Sequence, residues 1–217
     1  IEPSVRNGSF LHHAEQLPHF AYDIEPECES NFTHIFKQDY LSADIKYLWG
    51  RLIIGNPPYI NPKVMSSKEI DLAKQLCEKE GLQKSIMQNM WLAFVVGAIQ
   101  LLNEKGSIFF VLPMEFLQVQ YAEKLRIHLE KKFNTIHIVS FTTKLFLEIE
   151  QEICLVYLTN KKKSAPYILY EVYRDATSTI PLFSNTIRKN MPLKKWSNAV
   201  LLLSLIHISE PTRLALI

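Results

Sequence analysis

Cysteine is scarce in this chain. Cys28, Cys77 and Cys154 are the three in 217 residues, odd in number and far apart. That pattern excludes a zinc-ligand spacing and a disulfide framework, and it suits a reducing, cytoplasmic compartment. An excess of either charge is missing too: 24 Lys+Arg against 22 Asp+Glu leave a formal +2. Any nucleic-acid contact therefore has to come from local patches. Long apolar runs are also absent. The longest covers 90–98 and continues to Leu102, with Gln100 breaking it. A membrane span needs about 20 apolar residues, so this run reads as a buried helix and no membrane partner is expected. The opening Ile1-Glu2-Pro3-Ser4 lacks the features of a signal peptide. Repeats and low-complexity stretches are likewise missing.

Apolar material for a core is plentiful, at 47% of residues, which excludes general disorder. The length suits one domain, or one domain and the start of another. Short runs rich in strand formers alternate with helical patterns. Strands are expected at 20–24, 52–54, 108–112, 136–141 and 153–158, with a further one at 167–173. Helices are expected at 9–17, 67–79, 86–102 and 118–132; in the last, Tyr121, Leu125 and Leu129 share one stripe. This alternation predicts an α/β fold, a mixed but mostly parallel sheet with helices on both faces. The runs at 136–141 and 153–158 are close enough in sequence to pair antiparallel. Lys161-Lys162-Lys163-Ser164 reads as a hinge into a second region.

In such sheets ligands bind beyond the carboxyl ends of the strands. The sharpest candidate there is Gly55-Asn56-Pro57-Pro58-Tyr59, directly after Leu52-Ile53-Ile54. Two consecutive prolines fix φ twice and push each preceding residue out of the helical region, so the loop is extended and stiff. Asn56 then presents a side-chain carbonyl and Pro57 a backbone carbonyl, two acceptors suited to the two hydrogens of an amino group. Tyr59 offers an aromatic face to a planar substrate. An aryl amine whose lone pair is delocalised into its ring is a poor nucleophile. Two such hydrogen bonds favour a more tetrahedral nitrogen and stabilise the positive charge that develops on it.

Three weaker features accompany that loop. Glu2-Pro3-Ser4-Val5-Arg6-Asn7-Gly8-Ser9-Phe10-Leu11 reads as an acidic residue, a turn and a helix entry, the pattern of a nucleotide-type binding loop; Asn7 or Ser9 as an ordinary helix cap is the alternative. In Ala21-Tyr22-Asp23-Ile24-Glu25-Pro26 the acid Asp23 closes a strand, where it can accept from ribose hydroxyls. In Gln38-Asp39-Tyr40, Asp39 is either an acceptor for an adenine amino group or a turn residue.

Taken in order, these features resemble the adenine-N6 DNA methyltransferases of restriction–modification systems, in their gamma-type arrangement. The resemblance spans 1–163. It implies a Rossmann-like fold, S-adenosyl-L-methionine as cofactor, double-stranded DNA as substrate and a cognate or fused restriction endonuclease as partner. It implies Glu2, Pro3, Asn7, Gly8 and Phe10 in the cofactor loop, Asp23 at the ribose and Asp39 at the cofactor's adenine. Asn56, Pro57, Pro58 and Tyr59 then handle the target base, which has to be flipped out of the duplex to be reached. Phe146 resembles the family's aromatic residue that stacks on the flipped base; a core aromatic is the alternative. The stretch 106–113 resembles the strand that continues the core.

Two departures stand out. Arg6 occupies a position where the family usually has glycine, which permits unusual φ and close approach of a ligand. The first strand is expected to be truncated to Ile1. The domain reading is a catalytic domain at 1–160, the start of a following region at 161–202, towards target recognition, and a non-native tail at 203–217. Arg188-Lys189 and Lys194-Lys195 belong to that following region as a DNA-facing stretch or a solvated surface. Residues 203–213, LSLIHISEPTR, resemble the translation of a transposon-end adapter used in sequencing libraries. Protein-glutamine and some RNA-guanine methyltransferases use the same Asn-Pro-Pro-Tyr chemistry and are the rival enzymes. A DNA-binding module without turnover is the non-enzymatic rival, with Arg6 its main support.

Overall fold

The computed structural model describes residues 1–13, 19–31, 33–42, 50–145, 151–160 and 166–188. Eight strands follow in chain order: β1 His19–Asp23, β2 Thr33–Lys37, β3 Gly50–Gly55, β4 Leu102–Pro113, β5 Thr135–Phe141, β6 Ile153–Thr159, β7 Tyr167–Tyr173 and β8 Phe183–Arg188. Three α-helices lie among them: α1 Ser67–Lys79, α2 Met90–Leu101 and α3 Glu123–Lys132. β1 and β2 pair in parallel. The other six strands form one sheet in the order β3-β4-β6-β5-β7-β8. Its β3–β4 and β5–β7 pairs are parallel, whereas β6 runs antiparallel to both β4 and β5. The result is the mixed α/β sheet expected, including the antiparallel β5–β6 pair.

Ile1 and Glu2 join the two sheets. The Ile1 ammonium donates to Leu52 O at 2.8 Å, and Ile54 N donates back to Ile1 O at 2.9 Å. On its other side Glu2 N donates to Phe20 O and Tyr22 N to Glu2 O, each at 2.9 Å. Two residues thus act as the strand between β1 and β3, parallel to β1. The chain leaves this strand towards β1 and β2, then returns to its other side with β3. That reversal is a topological switch point, where ligands of open α/β sheets bind.

Local sequence explains the helices that frame the site. Ser66 caps α1: its hydroxyl accepts from Glu69 N, and Glu69 Oε2 accepts from Ser66 N, a reciprocal capping box. Met90 to Ile99 of α2 are all buried, as a helix apolar on every side has to be. On β5 and β7 the alternation turns Ile136, Ile138, Ile168, Tyr170 and Val172 into the core and leaves His137, Val139, Leu169 and Glu171 half-exposed.

Several boundaries differ from those expected. α2 starts four residues late because Asn89 is extended and Lys84–Ile86 form a separate 3-10 turn. α3 starts at Glu123, because the buried Arg126 guanidinium takes the carbonyls of Phe116 (2.7 Å) and Val119 (3.0 Å) and holds the preceding loop out of the helix. β4 begins at Leu102, with a register shift where it passes Gly50. The helix expected at 9–17 appears as a 3-10 turn at Leu11–His13, and 14–18 lie outside the described residues. β2 and β8 are strands that the sequence pattern did not announce. The expected hinge at 161–164 lies outside the described residues, as do 189–217. β7, beyond that hinge, hydrogen-bonds into the same sheet through β5.

Candidate active site

β3 ends at Gly55 and delivers Asn56 into the open, with Pro57 buried behind it and Pro58 and Tyr59 half-buried. Three contacts fix this loop. Pro3 lies against Gly55, its Cδ 3.4 Å from where a β-carbon on the glycine would stand. The Ile60 carbonyl accepts from Met90 N at 2.9 Å, tying the loop to the start of α2. The Tyr59 ring packs on the main core, and its hydroxyl lies 2.9 Å from Asn56 Oδ1 and 3.0 Å from Val111 O on β4. Burial pushes the Tyr59 phenol well above its usual range, so it stays protonated as a donor.

Glu2 to Phe10 form the second loop, on the other side of the switch point. Glu2 is only 2% exposed. Burial raises its carboxyl to about 8, against the lowering pull of the Ile1 ammonium and with a smaller push from Asp23. Two left-handed positions turn the chain, Arg6 at φ 41° and Gly8 at φ 77°. Between them the Asn7 side chain accepts from Ser9 N (3.3 Å) and Ser9 Oγ (2.7 Å), a local turn. Phe10 is half-buried and Asn7 exposed.

Asp23, the last residue of β1, holds this loop in place. Its Oδ2 accepts from Arg6 N at 2.8 Å and its Oδ1 from Glu25 N at 3.0 Å. Arg6 O in turn accepts from Glu27 N at 2.9 Å, and the exposed Arg6 side chain pairs with Glu27 at 3.3 Å. The residue that stands where glycine was expected therefore has the glycine-like φ, with its side chain turned out to an acid. Cys28 also enters the site: its Sγ lies 3.0 Å from the position of a β-carbon on Gly8. Burial and then Glu2, Asp23 and Glu27 push this thiol up. Asp39 stands beyond the end of β2, where its Oδ1 accepts from Leu41 N at 2.9 Å and burial raises its carboxyl.

The structure thus gathers Glu2, Pro3, Gly8 and Asp23 with Asn56, Pro57, Pro58 and Tyr59 around the switch point. Asp39 lies at the same end of the parallel strands, next to Gln38, whose N donates to Asp23 O at 2.8 Å. Phe146 lies outside the described residues. Two participants were not read from the sequence. Val111 contributes only a backbone carbonyl, which no residue type signals. Cys28 was read only as a free cysteine, and only the packing on Gly8 distinguishes it from the others.

Residues 14–146 match the model of a family described as Eco57I restriction-modification methylase. The chain belongs to that family. It is 30% identical over 125 residues to the type II restriction enzyme and methyltransferase RM.Eco57I of Escherichia coli, an alignment covering 56% of this chain and 12% of that protein. This chain therefore spans a small part of its relative's length. Two solved structures share the fold. One is the methyltransferase subunit of a type I restriction-modification system from Streptococcus thermophilus, with a TM-score of 0.61 at 13% identity, covering 94% of this chain and 47% of that one. The other is a putative class I S-adenosylmethionine-dependent methyltransferase from Listeria monocytogenes, with a TM-score of 0.59 at 16% identity, covering 82% of this chain and 58% of that one.

S-adenosylmethionine is the cofactor that this methylase family and fold imply. The residues present fit it. Glu2 offers an acid on a residue only 2% exposed, suited to a cationic ligand. Asp23 supplies an acid at the end of β1 and Asp39 one beyond the end of β2, and the Arg6–Gly8 turn has two left-handed positions. Among the described residues no group of acids, histidines and cysteines is placed to hold a metal, and no helix is long and apolar enough to cross a membrane.

Proposed function

We propose that this chain carries the cofactor-binding and catalytic part of a DNA methyltransferase acting on the N6 amine of adenine. The observation that carries the reading is the juxtaposition of two loops at the switch point: exposed Asn56 on a proline-stiffened turn, with Pro3 of the Glu2–Phe10 loop packed on Gly55. Glu2, Pro3, Asn7, Gly8, Phe10, Asp23 and Asp39 would hold the cofactor, which when bound supplies a methyl group already activated on a sulfonium. The chain's own work is on the amine. Asn56 and Pro57 accept its two hydrogens, which turns the lone pair out of the plane of the base and stabilises the charge growing on nitrogen. Tyr59 and Phe146 flank the flipped base. Double-stranded DNA is the proposed substrate. A cognate or fused restriction endonuclease is the proposed partner, since the relative RM.Eco57I is by name both restriction enzyme and methyltransferase.

The test is methyl transfer from labelled S-adenosylmethionine to mixed-sequence duplex DNA and, in parallel reactions, to protein and to RNA, with the products then separated by mass. Labelled N6-methyldeoxyadenosine that disappears in Asn56→Ala is the expected result. Label on cytosine overturns the base, and label only on protein glutamine or RNA guanine overturns the substrate. Cofactor binding with no transfer to any of them leaves the non-catalytic module.

A further inference from the structure

Tyr59 has one hydroxyl proton, and two acceptor positions face it: Asn56 Oδ1 at 2.9 Å and Val111 O at 3.0 Å. One proton cannot make a full linear hydrogen bond to both, so at least one of the two contacts is left weak. Val111 has no freedom to relieve this. Its carbonyl belongs to β4, one residue beyond the last β3–β4 pair, Gly55↔Phe110. Asn56 has that freedom. A half-turn of its amide exchanges oxygen and nitrogen at nearly unchanged positions. Nδ2 then donates to the Tyr59 oxygen, and the Tyr59 proton goes undivided to Val111 O. All three groups are satisfied.

We propose that Tyr59 is a positioning residue whose hydroxyl fixes which end of the Asn56 amide faces the substrate. The relay runs from Asn56 N–H to the Tyr59 oxygen and from Tyr59 O–H to the Val111 carbonyl. It turns Asn56 Oδ1, with both lone pairs free, to the open side of the loop. The opposite orientation presents an NH2 group there, donor against donor for an incoming amine. Burial keeps the phenol protonated, and core packing of the ring fixes the oxygen in place. The consequence for catalysis rests on the proposed methyltransferase reading, but the orientation itself does not.

The orientation is tested on the full chain, labelled with 15N asparagine, without DNA or cofactor. The Asn56 side-chain amide is assigned as the signal pair missing from Asn56→Ala. The expected result is one Asn56 amide proton protected from solvent exchange, with a cross-peak to the Tyr59 hydroxyl or ring. In Tyr59→Phe that protection is lost and the pair moves towards free-amide shifts, while the backbone spectrum stays folded. An unprotected Asn56 amide in the folded wild type overturns the proposal without recourse to any variant. An amide indifferent to a folded Tyr59→Phe also overturns it. In turnover assays, Tyr59→Phe keeps the aromatic face and is expected to lose about ten- to hundred-fold in kcat at unchanged cofactor affinity. A correctly oriented amide in a chain that methylates nothing would count against the function and leave the relay standing.

Discussion

The hydroxyl of Tyr40 is buried beside Gly97 of α2, 3.6 Å from where a β-carbon on that glycine would stand, and it has no hydrogen-bond partner among the described residues. The ring itself is well placed, stacked on Phe94 and edge-on to Tyr22. A buried donor without a partner loses its hydration for nothing, at a cost of about 1–3 kcal/mol. Tyr40→Phe is therefore expected to stabilise the chain by about 1 kcal/mol, read as a higher Tm or urea midpoint. A lower midpoint would mean that the hydroxyl does have a partner in solution.

Glu2 makes stability depend on pH. Its folded carboxyl is raised to about 8, above the ordinary glutamate value of the unfolded chain. Such a group contributes fully below the unfolded value, and the contribution is lost as pH rises through the folded one. The loss falls between roughly pH 4.5 and 8, with a slope of at most about 1.4 kcal/mol per pH unit. Glu2→Gln cannot ionise, so its advantage over wild type should grow across that window and level off above it. Urea midpoints that run parallel from pH 5 to 9 would refute this.

The same acid should couple cofactor binding to proton release. A cationic ligand beside Glu2 favours the carboxylate, so affinity for S-adenosylmethionine should rise with pH until about 8. Calorimetry in buffers of different ionisation enthalpy reads the proton directly. Binding without proton release at pH 7 would place the cation elsewhere.

Arg6→Gly tests the turn. Arg6 sits at φ 41°, a strain of about 1–2 kcal/mol that glycine does not carry. Against this stand the added freedom of glycine in the unfolded chain, about 0.5–1 kcal/mol, and an exposed Glu27 pair worth about 0–1 kcal/mol. Stability should therefore change by about 1 kcal/mol or less, and cofactor affinity should increase because glycine carries no strain at this φ and lets a ligand approach the backbone closely. Weaker binding by the glycine form would show that Arg6 itself serves the ligand.

Asp23→Ala removes the acceptor for both Arg6 N and Glu25 N, and so the anchor of the loop proposed to hold the cofactor. Affinity for S-adenosylmethionine should fall about ten- to hundred-fold. Asp23→Asn, which keeps one acceptor oxygen, should fall between. An equal loss in Glu25→Ala would contradict the geometry, because only the Glu25 backbone takes part.

The parts of the fold legible in the sequence were those written in side-chain period and proline chemistry. β7 was read to the residue as a run of strand formers, and α1 from its charged helical pattern; the Ser66 cap that starts α1 was not read. The loop after β3 was visible because consecutive prolines leave the backbone little choice. The family resemblance marked Arg6 as a glycine position, and φ 41° agrees. β2, five residues long, and the polar edge strand β8 carry too little pattern to stand out. The late starts of α2 and α3 depend on tertiary contacts, above all the Arg126 guanidinium reaching back to Phe116 and Val119. The Tyr59 hydroxyl was missed as a participant because its partner on β4 is a carbonyl 52 residues away.

Ile1 and Glu2 hold β1 and β2 to the larger sheet with four backbone hydrogen bonds, helped by the Tyr22–Tyr40–Phe94 stack. The β1–β2 pair, the smaller of the two sheets, is expected to open as a unit of its own. Amide hydrogens of β1 should exchange through opening of the small unit alone, well before those of β4 and β6, which exchange only with the whole sheet. A molecule lodged across the seam, touching Asp23 on one side and the Asn56 loop on the other, would act as a clasp. Its binding energy would appear as slower exchange in β1 and β2, so the occupied switch point would fasten together the sheet that forms it.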